Sequence, residues 1–322
     1  MPTHTFCFSH STRRMDFSRA TLNFLTRRYA APDRLRNLPP LAALPSEHNP
    51  DFIGNLTIWD WSGSLATPPV QRHFIPKTYK AQHAVIWRDK LLVCGTAFLE
   101  IYPLAGPFDR PVQVITHPWF SGAHTVFVDG LDRFVVSCSA PDALLFFRSD
   151  GTLVDAWRIP AEVYGHNYDL TLTDDLRAHY IGNDQQTGHI NCGAPAPDGY
   201  LCSLLIPGAV GLFDAQGRYR ELTTGYVGCH GARPMGTGGF YFCDSCNGLI
   251  IEMDWQGRVL RRFQVDSGWL HDALHLGDGL YLCALSDHNT FELWDTKQGT
   301  LIWRLACDAF GATTQFISST IS

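Results

Sequence analysis

The chain has 322 residues, of which 45% are hydrophobic and 17% charged, and its formal net charge is -6 at pH 7. This composition excludes a disordered chain, because it supplies enough apolar side chains for a large core. The mild acidity argues against nucleic acid as a partner, and no apolar run is long enough to predict a membrane span.

Residues 1–50 precede the first clear strand pattern. Residues 1–31 are basic and rich in serine and threonine, which is typical of an organellar transit peptide. The alternative, which the sequence favours, is a short amphipathic helix from Phe17 to Tyr29 packed on the domain. Residues 32–50 are rich in proline and predict an extended linker, because proline removes a backbone donor. We therefore expect a single domain over residues 51–322.

A repeat begins at residue 83 and recurs about every 40 residues, a period typical of β-propeller blades. Each unit contains four strand-like runs, and a polar turn with glycine joins its last two runs. The units open with five histidines: His83, His124, His166, His230 and His271. The step from His124 to His166 is regular, whereas the step to His230 is longer. We assign the extra length to an insertion at about 185–207, predicted to form a lid or, alternatively, a surface hairpin.

Two segments outside the five units complete the predicted ring. Residues 55–76 have the pattern of two outer strands, and residues 311–321 have the pattern of an inner strand with a short second one. Their pairing predicts an all-β, six-bladed β-propeller, closed by amino-terminal outer strands and a carboxyl-terminal inner strand. A five-bladed ring is the alternative if these segments do not pair.

The repeated histidines are the main candidates for a functional site. A residue that recurs near the start of the innermost strand faces the same way in every blade, so we expect the five histidines to meet at one mouth of the channel. Clustering favours neutral imidazoles, which ligate transition metals. We therefore predict that His83, His124, His166, His230 and His271 hold a divalent metal: iron, copper or zinc. The alternative is a packing and backbone-capping role.

Three further residues complete the predicted catalytic set. Asp169 and Asp272 lie close in sequence to His166 and His271, where either carboxylate could orient an imidazole. Arg233 follows His230 and could bind an anionic substrate group. A structural role is the alternative for each. Cys94, Cys138, Cys243 and Cys283 lie in apolar runs and are expected to be buried and reduced, which favours a cytoplasmic protein.

The repeat over residues 83–307 is similar in outline to the NHL-type propellers and the peptidyl-amidoglycolate lyases. The inner-strand histidines are the residues that carry this resemblance. In those lyases, histidines near the channel mouth hold zinc. The carotenoid cleavage oxygenases use a comparable arrangement, with four histidines on iron. The resemblance implies a metal-dependent enzyme acting on a small organic molecule.

An imidazole-rich shell favours a dioxygen-using iron or copper oxidoreductase over a zinc lyase or hydrolase. Two alternatives remain open. One is a metal-free enzyme with a histidine base, and the other is a non-catalytic propeller that binds a protein or peptide. Nucleic acid and membranes are not expected as partners.

Overall fold

The strands of the computed structural model build six four-stranded antiparallel sheets, one for each predicted blade. The structure describes residues 4–11, 53–79, 81–165, 170–176, 186–236, 238–307 and 313–321. The first strand of each sheet contacts the first strands of the two neighbouring sheets, so the sheets close into a ring around these inner strands. The predicted six-bladed β-propeller is therefore confirmed.

One blade combines strands from both ends of the chain, and we call it the closing blade. It contains β1 (His4–Ser11), β2 (Ile53–Trp61) and β3 (Val70–Tyr79), together with the innermost strand, β24 (Thr313–Ile321).

The other five blades are continuous in sequence. Blade 1 contains β4 (His83–Trp87), β5 (Lys90–Cys94), β6 (Leu99–Pro103) and β7 (Gln113–Ile115). Blade 2 contains β8 (Ala123–Val128), β9 (Phe134–Cys138), β10 (Ala143–Phe147) and β11 (Leu153–Arg158). Blade 3 contains β12 (Ile190–Ala196), β13 (Gly199–Leu204), β14 (Ala209–Asp214) and β15 (Tyr219–Thr223).

Blade 4 contains β16 (Cys229–Met235), β17 (Gly239–Asp244), β18 (Leu249–Met253) and β19 (Val259–Gln264). Blade 5 contains β20 (Leu270–Gly277), β21 (Leu280–Leu285), β22 (Thr290–Asp295) and β23 (Thr300–Ala306). A short helix, α1 (Ala161–Tyr164), follows β11, and a 3-10 turn (Ser245–Asn247) follows β17. Within the described part of the chain, no helix has the length and apolarity that crossing a membrane requires.

The closing blade differs from the prediction in its second strand. That strand is β1, from residues 4–11, which the sequence assigned to the amino-terminal segment. Phe6 and Phe8 pack towards blade 5, where the Phe8 and Phe291 rings stack with centroids 3.9 Å apart, while Cys7 packs towards blade 1. Both faces of β1 are largely buried, and the strand accordingly carries no Lys, Arg, Asp or Glu. The predicted helix Phe17 to Tyr29 and the linker 32–50 lie outside the described residues.

The predicted insertion at about 185–207 is also corrected. These residues form β12 and β13, the first two strands of blade 3, and their side chains pack against blades 2 and 4. The extra length of this unit lies earlier, in the connection of residues 159–189 between β11 and β12. The innermost strand of blade 3 is β12, and the inner strand predicted at His166 falls on residues 166–169, which lie outside the described part of the chain.

The four strand cysteines are buried and free, as expected, and two more occupy the same kind of position. Every blade carries one buried cysteine on its second strand: Cys7, Cys94, Cys138, Cys202, Cys243 and Cys283. Burial raises the pKa of the Cys94 and Cys283 thiols well above the usual range, so these residues behave as small apolar groups in the packing between blades.

Candidate functional site

The histidines on the inner strands lie near the starts of those strands, and therefore at one mouth of the propeller. His83 is the first residue of β4, and His124, His230 and His271 are the second residues of β8, β16 and β20. His166 and Asp169 lie outside the described residues. In blade 3, Asn191 is the second residue of β12, and His189 comes just before the strand.

His230 is buried and has a defined proton position. Its Nδ1 lies 2.9 Å from the Gly228 carbonyl oxygen and 2.9 Å from the Ser245 Oγ. A carbonyl oxygen only accepts hydrogen bonds, so the bond to Gly228 requires a proton on Nδ1. The lone pair of the neutral ring is then on Nε2. Burial lowers the pKa of His230 to about 4, which keeps the ring neutral at pH 7.

His271 occupies the equivalent place in the next blade but has the opposite proton arrangement. Its Nδ1 lies 3.0 Å from the Ser286 Oγ, just as His230 meets Ser245, and 3.4 Å from the Trp269 Nε1. The indole N–H only donates, so Nδ1 of His271 is an acceptor and the proton of the neutral ring is on Nε2.

The residue two positions before the histidine causes this difference in proton position between blades 4 and 5. Gly228 and Trp269 both lie two residues before the histidine, but Gly228 offers a carbonyl oxygen whereas Trp269 offers an indole N–H. The His230 and His271 rings lie close together, with centroids 4.8 Å apart, and Trp269 packs edge-on against both. The two neighbouring rings, which are 2% and 5% exposed, therefore differ at Nε2, with a lone pair on His230 and an N–H on His271.

His83 lies against the backbone of the neighbouring inner strands. Its Nδ1 accepts a hydrogen bond from the Val126 N–H at 3.4 Å, and its ring packs against Phe127 with centroids 5.2 Å apart. Burial, assisted by the positive charge of Arg233, lowers the pKa of His83 to about 3, although interactions with the backbone of Val126 and Ile317 oppose the shift. These contacts are those of a structural histidine, and its predicted role as a ligand stays a prediction.

His124 forms a second ring pair with a residue that the sequence analysis missed. The His124 and His189 centroids are 4.9 Å apart, and His189 is buried whereas His124 is half-buried. A signal for His189 was present in the spacing. It lies 41 residues before His230, and the same step separates His83 from His124 and His230 from His271.

The interior of the channel is occupied by an ion pair. Arg233 donates two hydrogen bonds to Asp272, at 2.7 and 2.8 Å, and further hydrogen bonds to the carbonyl oxygens of Ala273 and Ile317. Asp272 also accepts the Ile317 N–H at 2.9 Å. The guanidinium lies 6.0 Å from the Phe127 ring of blade 2, so the pair joins inner strands from several blades. We call this group the axial ion pair.

The two members of the axial ion pair, Arg233 and Asp272, are both predicted catalytic residues. Both carboxylate oxygens of Asp272 bind Arg233, and the Asp272 side chain is fully buried. Arg233 directs its terminal nitrogens at Asp272 and at backbone oxygens rather than at the mouth. The contacts of both residues are those of a structural pair, and their catalytic roles stay predictions.

The predicted metal site needs ligands from several blades. Among the residues that the structure describes, no three His, Cys, Asp or Glu side chains are grouped so that they could hold a metal ion. His230 taken alone is suited to ligation, because an Nδ1–H bound to a carbonyl oxygen leaves Nε2 as the donor atom. His271 is not suited in its present tautomer, because its proton is on Nε2.

These features define a six-bladed β-propeller with paired imidazoles at one mouth and an ion pair in its channel. No family model matches the chain, and no curated protein matches it in sequence.

Solved structures match the fold at low identity. A catalytically inactive histidine-to-alanine variant of virginiamycin B lyase from Staphylococcus aureus, with quinupristin, is 10% identical, with a TM-score of 0.56 over 89% of this chain and 92% of that chain. A protein of unknown function from Bacteroides caccae is 12% identical, with a TM-score of 0.58 over 82% and 94%. The WD40 propeller domain of Doa1 is 14% identical, with a TM-score of 0.55 over 80% and 79%. At these identities the likeness shows the fold alone, which enzymes and other propellers share.

Proposed function

We propose that the protein is an enzyme that acts on a small organic substrate by acid–base chemistry at the His230–His271 pair. The observation that carries the proposal is the opposite hydrogen bonding at Nδ1 of two adjacent imidazoles, one meeting a carbonyl oxygen and the other an indole N–H. His230 offers a lone pair on Nε2, and His271 offers an N–H on Nε2. Two rings with the same tautomer would repeat one role, whereas this pair combines a general base with a donor for developing negative charge.

The chemistry best suited to such a pair is proton abstraction next to a carbonyl group, followed by loss of a β-oxygen substituent. His230 takes the proton, and the electron pair of the broken C–H bond forms the new double bond as the C–O bond breaks. The N–H of His271 stabilises the negative charge on oxygen during this step, and the imidazolium of His230 returns the proton to the leaving oxygen. Atoms and charges balance without a further reactant, so the reaction class is that of a lyase.

The surroundings of the pair fit this role in two respects. The rings are almost fully buried, which excludes water and strengthens the interaction between His271 and a developing oxyanion. A pKa near 4 keeps His230 at pH 7 in the neutral form that can accept a proton. Trp269 packs edge-on against both imidazoles and donates to Nδ1 of His271, so it holds the pair in place on the side away from Nε2 of His271.

The comparison with virginiamycin B lyase supports the lyase class. That enzyme has the same fold at a TM-score of 0.56, and a single histidine-to-alanine change gives a variant described as catalytically inactive. Essential histidine chemistry on a propeller is thus compatible with this architecture. The identity of 10% carries no individual residue over to this chain.

A metal-dependent reaction is the second candidate, and the hydrogen bond between His230 Nδ1 and Gly228 favours it. The same bond that prepares Nε2 as a base prepares it as a ligand. A bound divalent metal would polarise a substrate oxygen, and His230 would hold it with histidines from other blades. Elemental analysis of the purified protein tests this candidate. One metal ion per chain in the wild type, lost in His230→Gln, would favour it over the metal-free lyase.

The test of the proposed function uses the full chain and a panel of carboxylic esters and lactones, with virginiamycin B among them, each followed by mass spectrometry. Elimination within a ring leaves the mass unchanged, whereas hydrolysis adds one water. We expect an unchanged-mass product in the wild type and a rate about 10² to 10⁴ times lower in His230→Gln and in His271→Gln.

His275→Gln is the matched control, because His275 lies further along β20 and contacts Tyr241 and Tyr281 rather than the mouth. It should retain the wild-type rate. A substrate that both mouth variants convert at the wild-type rate would contradict the proposal. No turnover across the panel, together with specific capture of a peptide, would favour a binding propeller.

A further inference from the structure

The second imidazole pair, His124 and His189, is held by unusual backbone geometry. His189 has a φ of 55°, in the left-handed region that side chains other than glycine adopt rarely. Asp142, which interacts with the backbone next to His189, has a φ of 52°. The contacts described below hold both residues in this conformation.

The position of Asp142 has equivalents in three other blades. In each of these four blades the residue just before the third strand uses its carbonyl oxygen to accept a backbone N–H from a residue that follows the fourth strand. The equivalent residues are Gly208, Gly248 and Asn289, and all have a positive φ. The turn therefore requires left-handed backbone, which glycine and asparagine adopt readily. Only blade 2, among these four, places a carboxylate there.

The Asp142 carboxylate crosses to blade 3 and binds the turn before β12. Its oxygens accept the N–H of Gly188 at 2.9 Å and of Ile190 at 3.3 Å, and its Oδ2 lies 3.1 Å from the Thr187 hydroxyl. The His189 backbone interacts with it as well. Gly188 allows this approach, because a Cβ there would lie 2.9 Å from Asp142 Oδ1. We call the carboxylate and residues 187–190 the Asp142 clamp.

We infer that Asp142 is a positioning residue: the Asp142 clamp fixes His189 against His124 at the mouth that also holds the His230–His271 pair. This placement of the ring does not depend on the proposed function. At this position Asp142 is a left-handed, buried aspartate, and its contacts with residues 187–190 fix the place of His189.

The experiment uses the full-length protein with isotope-labelled histidine and records the imidazole NMR signals and their ring-to-ring cross-peaks. His124→Gln and His189→Gln assign the two signals. In the wild type we expect a cross-peak between the rings, since their centroids are 4.9 Å apart. In Asp142→Gly this cross-peak should be lost and the His189 signal should shift, while the His230 and His271 signals stay in place.

Asn289→Gly is the matched control, because it changes the equivalent position of blade 5, and it should leave the His124–His189 cross-peak intact. Asp142→Asn keeps one oxygen acceptor and should weaken the cross-peak. If Asp142→Gly does not fold, this variant tests whether the carboxylate positions His189. Folded Asp142 variants with an unchanged cross-peak would overturn the inference. This result is independent of activity, so it is distinguishable from a failure of the proposed acid–base reaction.

Discussion

The axial ion pair and the His230–His271 pair are both buried and polar, but their hydrogen bonding differs in kind. Arg233 and Asp272 satisfy each other and the backbone around Ala273 and Ile317, so the bonds form a network that joins blades. Each imidazole is held by a hydrogen bond at Nδ1. The two partners differ, so Nε2 carries a lone pair in His230 and a proton in His271. Burial of a polar group therefore does not mark a site by itself. The two groups differ in where their hydrogen bonds point, towards the backbone network or towards the mouth.

The largest expected effect comes from breaking the axial ion pair. Asp272→Ala leaves the Arg233 guanidinium buried without its partner, and we expect it to lower the free energy of unfolding by about 3 to 5 kcal/mol in urea titrations. Arg88→Ala, which removes a guanidinium exposed at the surface, should have a much smaller effect. The double variant Arg233→Met and Asp272→Leu should be more stable than Asp272→Ala. Equal losses for Asp272→Ala and Arg88→Ala would contradict the structural role.

A smaller change in the free energy of unfolding is expected from a change of pH, because His230 at the mouth is buried. The folded protein lowers the pKa of His230 from 6.5 to about 4, so its contribution to stability is complete above pH 6.5 and is lost as the pH falls towards 4. The free energy of unfolding should therefore drop by about 2 kcal/mol from this residue between pH 7.5 and pH 5. Urea titrations of His230→Gln should show a drop smaller by that amount. An identical pH dependence in the variant would mean that His230 is not buried as described.

Trp269→Phe should have the smallest effect on stability, about 1 kcal/mol, because it keeps the aromatic packing and removes one N–H donor. Without that donor, Nδ1 of His271 can be protonated and bind the Ser286 Oγ as a donor, so the nitrogen shifts of His271 should move towards those of His230. Histidine-detected NMR measures the change. His271 shifts that stay at their wild-type values would show that Trp269 does not set the tautomer.

Much of the fold could be predicted from the sequence, because blade strands follow local patterns of apolar residues and glycine turns. The errors came from two places where the order along the chain misleads. Residues 4–11 are separated from the rest of the closing blade by residues 12–52, and blade 3 starts after a long connection. In both cases a further signal was present: Cys7 and Cys202 continue the series of one cysteine on each second strand.

The candidate site was less predictable, since it depends on contacts rather than on residue types. The sequence named His230 and His271 as candidates and placed Arg233 and Asp272 in the catalytic set, but it did not predict the ion pair between these two. Their bidentate contact joins strands of different blades, and no local pattern shows that. The sequence also cannot show that Gly228 acts through its carbonyl oxygen and Trp269 through its indole. The metal, the substrate class, the cytoplasmic location and the absence of nucleic acid and membrane partners stay predictions.

The most direct measurement is a long-range ¹H–¹⁵N spectrum of the wild-type protein at neutral pH with labelled histidine, assigned by His230→Gln and His271→Gln. The account predicts two neutral rings with opposite tautomers: His230 carries its proton on Nδ1, and His271 carries its proton on Nε2. Two rings with the same tautomer, or a protonated His230 at pH 7, would contradict it.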